Sequence, residues 1–184
     1  NLQSVLGQTY KNYECFYSDD LSTDGSYDLL KRTAPDNINV HKNNTKTLAL
    51  KNIYDTILRA KPNDEDIIVT LDGDDWLARK DVLEILNKYY NDDTLMTYGT
   101  YVDYPTGRIP HNVFQYSDEV INNSSYRHAP WQASHLRTFK YKLWKQINVE
   151  DLKDKNGNFY EMAWDLAFMF PMLEMAGHRA KHVK

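Results

Sequence analysis

The sequence predicts an α/β fold with a central, mostly parallel sheet that is flanked by helices. The first observation is the apolar and β-branched run at residues 67–71, which has no polar alternation and therefore favours a strand covered on both faces. The second is that helical and strand patterns alternate along the first hundred residues, an order typical of parallel strands joined by helices.

The elements of the first half each carry a local signal. The apolar residues Leu2, Val5 and Leu6 begin a helical pattern at once. A polar turn at residues 22–26 is suited to cap the next helix, and Pro62 ends a later one because proline cannot continue a helix. The predicted elements after the opening helix are a strand at 13–18, a helix at 27–32, a strand at 38–41, a helix at 46–61, a strand at 67–71, a helix at 80–90 and a strand at 95–102.

The second half of the chain changes character at Asp103. Residues 103–131 are rich in Tyr, Asn, Ser, Pro and His and lack periodicity, so they predict loops over one face, where we expect the choice of substrate to be made. Ordered structure is predicted again at residues 135–147 and in a helix at 161–176, for which Gly177 is a suitable C-terminal cap.

Length and composition limit the possible functions. The 184 residues fit one domain, and 41% hydrophobic with 26% charged residues is typical of a soluble globular protein. The net charge of −4 argues against a nucleic acid partner. No apolar run has transmembrane length and no signal peptide opens the chain, so we expect a cytoplasmic protein without a membrane span here. Because the first helical pattern starts without a cap, we also expect a catalytic domain cut from a longer chain.

The chain lacks the sequence motifs of several known kinds of binding and catalytic site. The seven glycines are isolated, so neither the GxGxxG loop of dinucleotide-binding proteins nor the GxxxxGK[ST] phosphate loop is present. There is no G-x-S-x-G or HExxH motif either. Cys15 is the only cysteine, which excludes an internal disulfide and a multi-cysteine zinc site.

A cluster of acids follows the third predicted strand. Asp72, Asp74 and Asp75 stand where that strand ends, and open α/β sheets bind ligands just beyond the carboxyl ends of their strands. Three carboxylates repel one another unless a cation lies among them, and oxygen ligands suit Mg²⁺ or Mn²⁺. We therefore expect a metal ion here that binds a diphosphate. Asp64 and Asp66 precede the strand and predict only a solvated turn.

Three segments of the first hundred residues belong together: SVLGQTYKNYECFYSDDLSTDGS at residues 4–26, LKN at 50–52 and LDGDD at 71–75. In this order and spacing they resemble the family 2 glycosyltransferases, which have the GT-A fold. That family often has ARN in place of LKN, and LDGDD matches its DxDD metal motif. The resemblance implies a single catalytic domain with a Rossmann-like, nucleotide-diphospho-sugar transferase fold. It implies a nucleotide-binding part at about residues 1–102 and an acceptor side at about residues 103–184.

The resemblance also implies a metal-dependent enzyme with a nucleotide-sugar donor, expected to be a UDP-sugar, and a glycan or other hydroxyl acceptor. Asp74 is implied to ligate Mn²⁺ or Mg²⁺ directly. Asp72 is implied to contact the ribose of the donor or the metal through a bound water. Asp75 is either a second ligand or a cap for the helix that follows.

Residues of two earlier segments are implied to bind the nucleotide. Asp19 or Asp20, at the end of the strand at 13–18, is expected to accept a hydrogen bond from a uracil N–H, while the other holds the loop in an Asx turn. Lys51 replaces an arginine of the family and offers positive charge to base or phosphate. It lacks the bidentate fork of arginine, so a simple surface lysine is the alternative.

Asp165 is the candidate catalytic base. The family carries Glu-Asp at the start of a late helix, and here Trp164 and Asp165 stand at that position, so only the second acid matches. The resemblance implies inversion by single displacement, with Asp165 taking the proton of the acceptor hydroxyl. We expect Trp164 and Phe168 to desolvate the carboxylate and raise its pKa. The alternative is an acid that interacts with the helix dipole.

Histidines offer further candidates. Some relatives of this fold use a late histidine as a third metal ligand, which implies His182, or His178 in its place. His135 and Arg137 lie in the segment HLRTF, where they face either the catalytic crevice or solvent. In the crevice, their positive charge suits a diphosphate or an acceptor hydroxyl.

Aromatic residues and other enzyme classes leave alternatives open. Trp76 and Trp131 either stack on sugar or base or belong to the core. A haloacid-dehalogenase-type phosphatase also places an Asp-x-Asp after an apolar strand, with the first Asp as nucleophile. A nucleotidyltransferase is a third option that lacks its glycine-rich loop. The content of 14 Tyr and 4 Trp also suits a catalytically inactive glycan-binding module.

Overall fold

A computed structural model describes residues 1–111 and 113–183. Asn112, within the stretch predicted as loops, and Lys184 lie outside the described residues. The helices and strands of the described chain are, in order, α1 (Leu2–Leu6), β1 (Cys15–Asp19), α2 (Ser26–Thr33), β2 (Ile38–Lys42), α3 (Leu48–Ala60), β3 (Ile67–Thr70), α4 (Val82–Tyr89), β4 (Met96–Gly99), α5 (Asp118–Asn122), β5 (Ser134–Lys140), α6 (Tyr141–Trp144), α7 (Trp164–Ala176) and β6 (Ala180–His182).

The chain forms two compact units, each built from separate stretches of sequence. The first unit comprises Asn1–Tyr10, Asn63–Asn148 and Leu166–Lys184. The second comprises Lys11–Pro62 and Val149–Asp165. Among the described residues, no helix has the length and hydrophobicity that crossing a bilayer requires.

A four-stranded mixed sheet forms the centre of the first unit. Its strand order is β3-β5-β4-β6, and β5 alone runs against the other three strands. Helices accompany the sheet in both sequence and space, which confirms the predicted α/β class. Sequence periodicity does not encode strand direction, so the reversal of β5 was not predicted.

The strand β3 differs from its prediction. The apolar run predicted a strand covered on both faces, but β3 lies at the edge of the described sheet and all four of its residues are only half-buried. That prediction is wrong because a short apolar run does not distinguish an edge strand from a central one.

The helix α7 contributes several residues to the core of the first unit. Phe168, Met169, Met172 and Leu173 of α7 are fully buried. The ring of Phe139 on β5 lies 6.1 Å from that of Phe168, measured between centroids, within a larger aromatic cluster. Since four large side chains on one helix are buried, α7 fixes the sheet beneath the site.

The second unit contains a separate two-stranded parallel sheet. β1 pairs with β2, with Cys15 opposite Ile38 and Asp19 opposite Lys42. The helix α3 buries Leu50 and Ile57, two of the apolar residues whose spacing predicted it. The pairing brings the acidic end of β1 next to the end of β2.

The stretch predicted as loops contains short helices. α5 begins after Ser117, whose hydroxyl accepts a hydrogen bond from the backbone N–H of Val120, as in an ordinary N-cap. A 3₁₀ helix at Tyr126–His128 follows, and Tyr126 is buried. A single turn of helix is too short to leave a periodic signal in the sequence.

Candidate active site

Several segments of the chain come together at one end of the four-stranded sheet, where β3, β4 and β6 end and β5 begins. The carboxyl ends of β3, β4 and β6 meet the amino end of β5 there, because β5 is antiparallel to its neighbours. Thr70 of β3 pairs with Arg137 of β5. Continuing that register by two residues along each chain sets Asp72 opposite His135.

Asp72, Asp75 and His135 form a compact group at this edge. Their potential ligand atoms all lie within 4.8 Å of one another. Nε2 of His135 is 3.4 Å from Oδ2 of Asp72 and 3.9 Å from Oδ2 of Asp75. All three side chains are half-buried, so the group is accessible from one side. Two carboxylates and one imidazole suit a divalent cation such as Mn²⁺.

Arg137 determines which nitrogen of His135 carries the proton. Its Nη1 lies 3.1 Å from Nε2 of His135. A guanidinium only donates hydrogen bonds, so Nε2 is the acceptor and the ring is protonated on Nδ1. Oγ of Ser134 lies 3.4 Å from that Nδ1. The single lone pair of Nε2 is therefore directed at Arg137, so a cation at Nε2 would have to replace Arg137 as its partner.

The electrostatics of Asp75 follow from its surroundings. Burial raises the pKa of Asp75 above its ordinary value, the charges of Asp72 and Asp74 raise it further, and His135 and Arg137 oppose them. A bound cation among these groups offsets the mutual repulsion of the acids.

The turn that carries the acids is held by the start of the chain. The side-chain amide of Asn1 donates to the backbone carbonyls of Asp72 and Asp75, at 2.8 and 2.7 Å. Oγ of Ser4 accepts a hydrogen bond from the backbone N–H of Leu77 at 3.0 Å. The backbone of this turn is thus fixed before any ligand binds.

Gln8 makes similar hydrogen bonds further along the same loop. Its side chain is only 1% exposed. Its amide nitrogen donates to the carbonyls of Ser4 and Arg79 at 3.0 and 2.6 Å, and its amide oxygen accepts from the N–H of Leu83 at 3.1 Å. Gln8 belongs to the QTY segment of the family resemblance, and its hydrogen bonds account for that residue type.

Asp74 lies outside the group formed by Asp72, Asp75 and His135. It is exposed on the same turn, so the two acids that the structure brings together are the first and last of the motif. The helix-cap alternative for Asp75 is not found, because α4 begins at Val82 and its N-cap is Asp81.

Gly99 allows β4 to approach β5 beside the group. A Cβ atom added at Gly99 lies 3.0 Å from the carbonyl oxygen of His135 and 3.1 Å from the backbone nitrogen of Leu136. Both neighbours are backbone atoms, which cannot rotate away. Only glycine therefore fits without moving the segment that carries His135.

The two late histidines do not join the group. His182, on β6, has its Nε2 3.1 Å from the hydroxyl of Thr100 and its ring against that of Tyr98. His178 has its Nε2 2.9 Å from Oδ1 of Asn122. The imidazole that the structure sets beside Asp72 is that of His135, for which the sequence left a solvent-facing alternative open.

In the second unit, Asp19 and Asp20 have different environments. Asp19 is 3% exposed, and its Oδ1 accepts a hydrogen bond from the backbone N–H of Ser22, three residues on, at 3.0 Å. An Asx turn bonds the N–H two residues on, so the expected Asx turn stays a prediction. Asp20 accepts hydrogen bonds from the backbone N–H groups of Thr47 and Leu48, at 2.8 and 2.9 Å, and from Asn43 at 2.9 Å.

Asp20 therefore caps the N-terminus of α3 from a distant position in the sequence. Burial raises its pKa, but the hydrogen bonds from Asn43, Thr47 and Leu48 outweigh burial, so the pKa lies below its ordinary value. The carboxylate is thus held ionised where the helix N-terminus favours negative charge.

Lys51 has partners within the second unit. Its Nζ lies 2.6 Å from Oδ2 of Asp55, one helical turn along α3, and 5.6 Å from the centre of the Phe159 ring. These contacts match the interpretation of Lys51 as a surface lysine, and its role in nucleotide binding stays a prediction.

Asp165 lies in the first turn of α7 and is half-buried. The helix begins at Trp164, three residues later than predicted, and Phe168 is buried on it. An acid at this position can interact with the helix dipole or act as the catalytic base, so the role of Asp165 stays a prediction.

The two tryptophans named by the sequence have different surroundings. Trp76 is 48% exposed and its ring makes an edge contact with that of Tyr104, with 5.2 Å between centroids. Trp131 is half-buried, and its ring packs against Phe170 at 5.3 Å. Trp76 is therefore not part of the core.

A cavity of about 570 Å³ lies at the other end of the sheet in the first unit. Its lining includes Leu95, which precedes β4, Lys140, which ends β5, and Arg179, which precedes β6. It contains none of the residues that the sequence assigned to the site.

Comparison with known proteins gives a family match. A model of the family described as Glycosyl transferase family 2 matches residues 1–152, which include both acidic segments and the segment of β5. No curated protein matches the chain.

Proposed function

The chain belongs to glycosyl transferase family 2, and from this premise we propose that it transfers a sugar from a UDP-linked donor to a hydroxyl of a glycan acceptor with the help of Mn²⁺. Membership of the family makes the chain a glycosyltransferase of the GT-A type that uses a nucleotide-sugar and an acceptor. The choice of UDP, of the metal and of a glycan acceptor is our proposal.

The group formed by Asp72, Asp75 and His135 is the observation that carries the proposal. It lies beyond the carboxyl end of β3, where open α/β sheets bind ligands. Carboxylate oxygens suit Mg²⁺ and Mn²⁺ alike, whereas an imidazole nitrogen favours Mn²⁺. The donor set therefore fits a resident divalent cation, with Mn²⁺ preferred.

Each residue of this edge has a distinct part in the proposal. A bound cation neutralises the charge that grows on the departing diphosphate. Asp72 and Asp75 would hold the cation, and His135 would join them once the metal takes the place of Arg137 at its Nε2. Asp74, the direct ligand by the family motif, remains the alternative to Asp75, and single substitutions separate the two assignments.

We assign the nucleotide to residues of the second unit. Asp19 or Asp20 accepts a hydrogen bond from a uracil N–H, and Lys51 supplies positive charge. Asp20 accepts hydrogen bonds from Asn43, Thr47 and Leu48, whereas Asp19 accepts one from Ser22, so we assign the base to Asp19. A UDP affinity that falls at least tenfold in Asp19→Asn and less in Asp20→Asn supports this assignment, and the reverse order contradicts it.

Asp165 is proposed as the base of an inverting displacement, taking the proton of the acceptor hydroxyl. A positioned base contributes about 10²–10⁴ in rate. Asp165→Asn is therefore expected to bind donor normally and to transfer sugar at least about 100-fold more slowly. The matched control is Glu161→Gln, an exposed acid four residues earlier. Transfer at the native rate by Asp165→Asn removes the assignment.

Calorimetric titration of UDP tests the proposal as a whole. We expect UDP to bind in the presence of Mn²⁺ and to lose at least tenfold in affinity when EDTA replaces the metal. The Asp64→Asn protein is the control for adventitious acids, since Asp64 precedes β3 and pairs with Lys145. Equal binding with EDTA contradicts a metal-bridged diphosphate.

The family match supports the transferase over the other activities that the motif allowed. A haloacid-dehalogenase-type phosphatase is detected by hydrolysis of p-nitrophenyl phosphate. A catalytically inactive glycan-binding module is detected by saccharide binding without any release of UDP from UDP-sugars. We expect both results to be negative for the wild-type protein.

A further inference from the structure

Exposed hydrophobic side chains of the first unit are concentrated in one region. In the described part of that unit, every large hydrophobic residue that is exposed is either Trp76 or lies between residues 101 and 114. The set consists of Trp76, Tyr101, Val102, Tyr104, Ile109 and Phe114. Exposed apolar surface that is gathered in one place marks a binding surface more often than scattered residues do.

Two aromatic rings form the most defined part of this region. Tyr104 is 78% exposed and Trp76 is 48% exposed, yet the two rings are in contact. Their planes are 73° apart with 5.2 Å between centroids, so together they make a corner with one broad face and one edge. Each ring restricts the other, which reduces the ordering that a ligand must impose.

The corner lies next to the candidate metal group. Trp76 directly follows Asp75 in the chain. On the other side, the ring of Tyr101 makes an edge contact with that of His135, with 5.9 Å between centroids. A ligand resting on the corner is therefore beside the residues assigned to the departing diphosphate.

The chemistry of the corner suits a sugar ring. Aromatic faces carry partial negative charge, and the C–H groups on one face of a pyranose are weakly positive. Asp74 and Asp75 precede Trp76 directly, which favours a neutral ligand over an anionic one. A neutral glycan meets both conditions, whereas a nucleotide brings its own negative charge.

We propose that Trp76 and Tyr104 form an acceptor subsite on which a pyranose ring of the acceptor glycan stacks beside the metal group. This inference rests on the proposed function, since an acceptor subsite presupposes a glycosyltransferase. It assigns the choice of acceptor to a turn after β3 and to the start of the loop after β4.

Tryptophan fluorescence provides a direct test of stacking. Of the four tryptophans, Trp76 alone is exposed, whereas Trp131 and Trp164 are half-buried and Trp144 is buried. Acrylamide quenching is therefore expected to report mainly on Trp76. The methyl glycosides of glucose, galactose and N-acetylglucosamine, with chitobiose, serve as probes at up to about 50 mM, since isolated sugars bind in the millimolar range.

At least one of these saccharides is expected to reduce the quenching constant of the wild-type protein by about half, and to have no such effect on Trp76→Ala. Unchanged quenching with all four probes overturns the proposal. Shielding of Trp76 by UDP with Mn²⁺ and not by saccharides also overturns it, because it assigns the corner to the nucleotide.

A kinetic test separates the acceptor from the donor. With the acceptor that a donor and acceptor screen identifies, Trp76→Ala and Tyr104→Ala are each expected to raise the acceptor KM about tenfold, equivalent to about 1.4 kcal/mol. Trp76→Phe is expected to recover part of this loss. The control is Tyr160→Ala, an exposed tyrosine of the second unit, which should leave the acceptor KM unchanged.

The two levels of inference fail in different ways. If the wild-type protein binds no UDP with Mn²⁺, the proposed function fails whatever the saccharides do. If UDP binds and sugar is transferred, but Trp76→Ala and Tyr104→Ala keep the native acceptor KM, the acceptor subsite alone is wrong.

Discussion

Oδ2 of Asp72 lies 3.4 Å from Nε2 of His135, although the two residues come from segments that run in opposite directions. The antiparallel pairing of β3 with β5 ends at Thr70 and Arg137, and Asp72 and His135 each lie two residues beyond that pair. The contact between Asp72 and His135 defines the candidate metal group, and substituting its residues one at a time tests the assignment.

Replacing His135 tests the imidazole ligand. We expect His135→Ala to lower the affinity for Mn²⁺ at least about tenfold, because one of three ligand groups is lost. Affinity for Mg²⁺ should change less, since Mg²⁺ prefers oxygen ligands. Calorimetric titration of each metal measures the effect. His128→Ala, which removes an exposed histidine, is the control, and an equal loss in both variants contradicts the assignment.

Asp74 and Asp75 give opposite results under the two ligand assignments. From the observed grouping we expect Asp75→Asn to weaken Mn²⁺ binding at least about tenfold and Asp74→Asn to weaken it less, because Asp74 is exposed outside the group. Metal-dependent UDP binding is the measurement. A larger loss in Asp74→Asn supports the ligand implied by the family motif and contradicts Asp75.

Gln8 is expected to stabilise the fold and the acidic turn together. Gln8→Ala leaves the carbonyl of Arg79 and the N–H of Leu83 without the partners they have now, at a cost of about 2–3 kcal/mol in the free energy of unfolding. Urea denaturation measures this cost, and metal affinity should fall with it. Gln3→Ala, which changes an exposed glutamine of α1, should change neither quantity. If the Gln8→Ala protein is as stable as the wild type, the hydrogen bonds of Gln8 do not stabilise the fold.

Asp20 makes stability depend on pH in a defined direction. Its pKa is lower in the folded protein than in the unfolded chain, so its contribution is present above the unfolded value of about 3.9 and is lost as the pH falls through the folded value. We expect Asp20→Asn to cost about 1–2 kcal/mol in the free energy of unfolding at pH 7, because an amide replaces a charged helix cap.

The same variant should cost less at pH 3, because pH 3 lies below the unfolded pKa of about 3.9 and part of the stabilisation by the charged carboxylate is lost there. Urea denaturation at both pH values measures the difference. Asp36→Asn, which changes an exposed acid of the same unit, is the control. A cost for Asp20→Asn that is the same at both pH values shows that the carboxylate acts through its shape and not its charge.

The order of helices and strands in the first half was predictable because each element carries its own periodicity and its own stop signal. The apolar spacing at Leu50 and Ile57 predicted α3, and both residues are buried. The carboxylates of Asp72 and Asp75 were predicted at the end of a strand, which β3 confirms. These signals are local, so a single sequence suffices to detect them.

Features that depend on distant partners were not predictable. The alternation in HLRTF left two sides open to His135, and the direction of β5 decides between them. Likewise, the capping of α3 by Asp20 and the hydrogen bonds of Gln8 join residues far apart in the sequence. Such contacts follow from tertiary packing, for which neither periodicity nor propensity carries a signal.

Because β5 is antiparallel to β4, the chain leaves the sheet after Gly99 and re-enters it at Ser134, at the same end of the sheet. Residues early in that excursion are exposed, whereas Tyr116 and Tyr126 anchor its later part in the interior. Length and composition of the exposed portion are free to diverge without disturbing strand pairing, since lengthening a surface loop costs little. The part of the chain that carries Tyr104 can thus change without altering the turn that carries Asp72, Asp75 and Trp76.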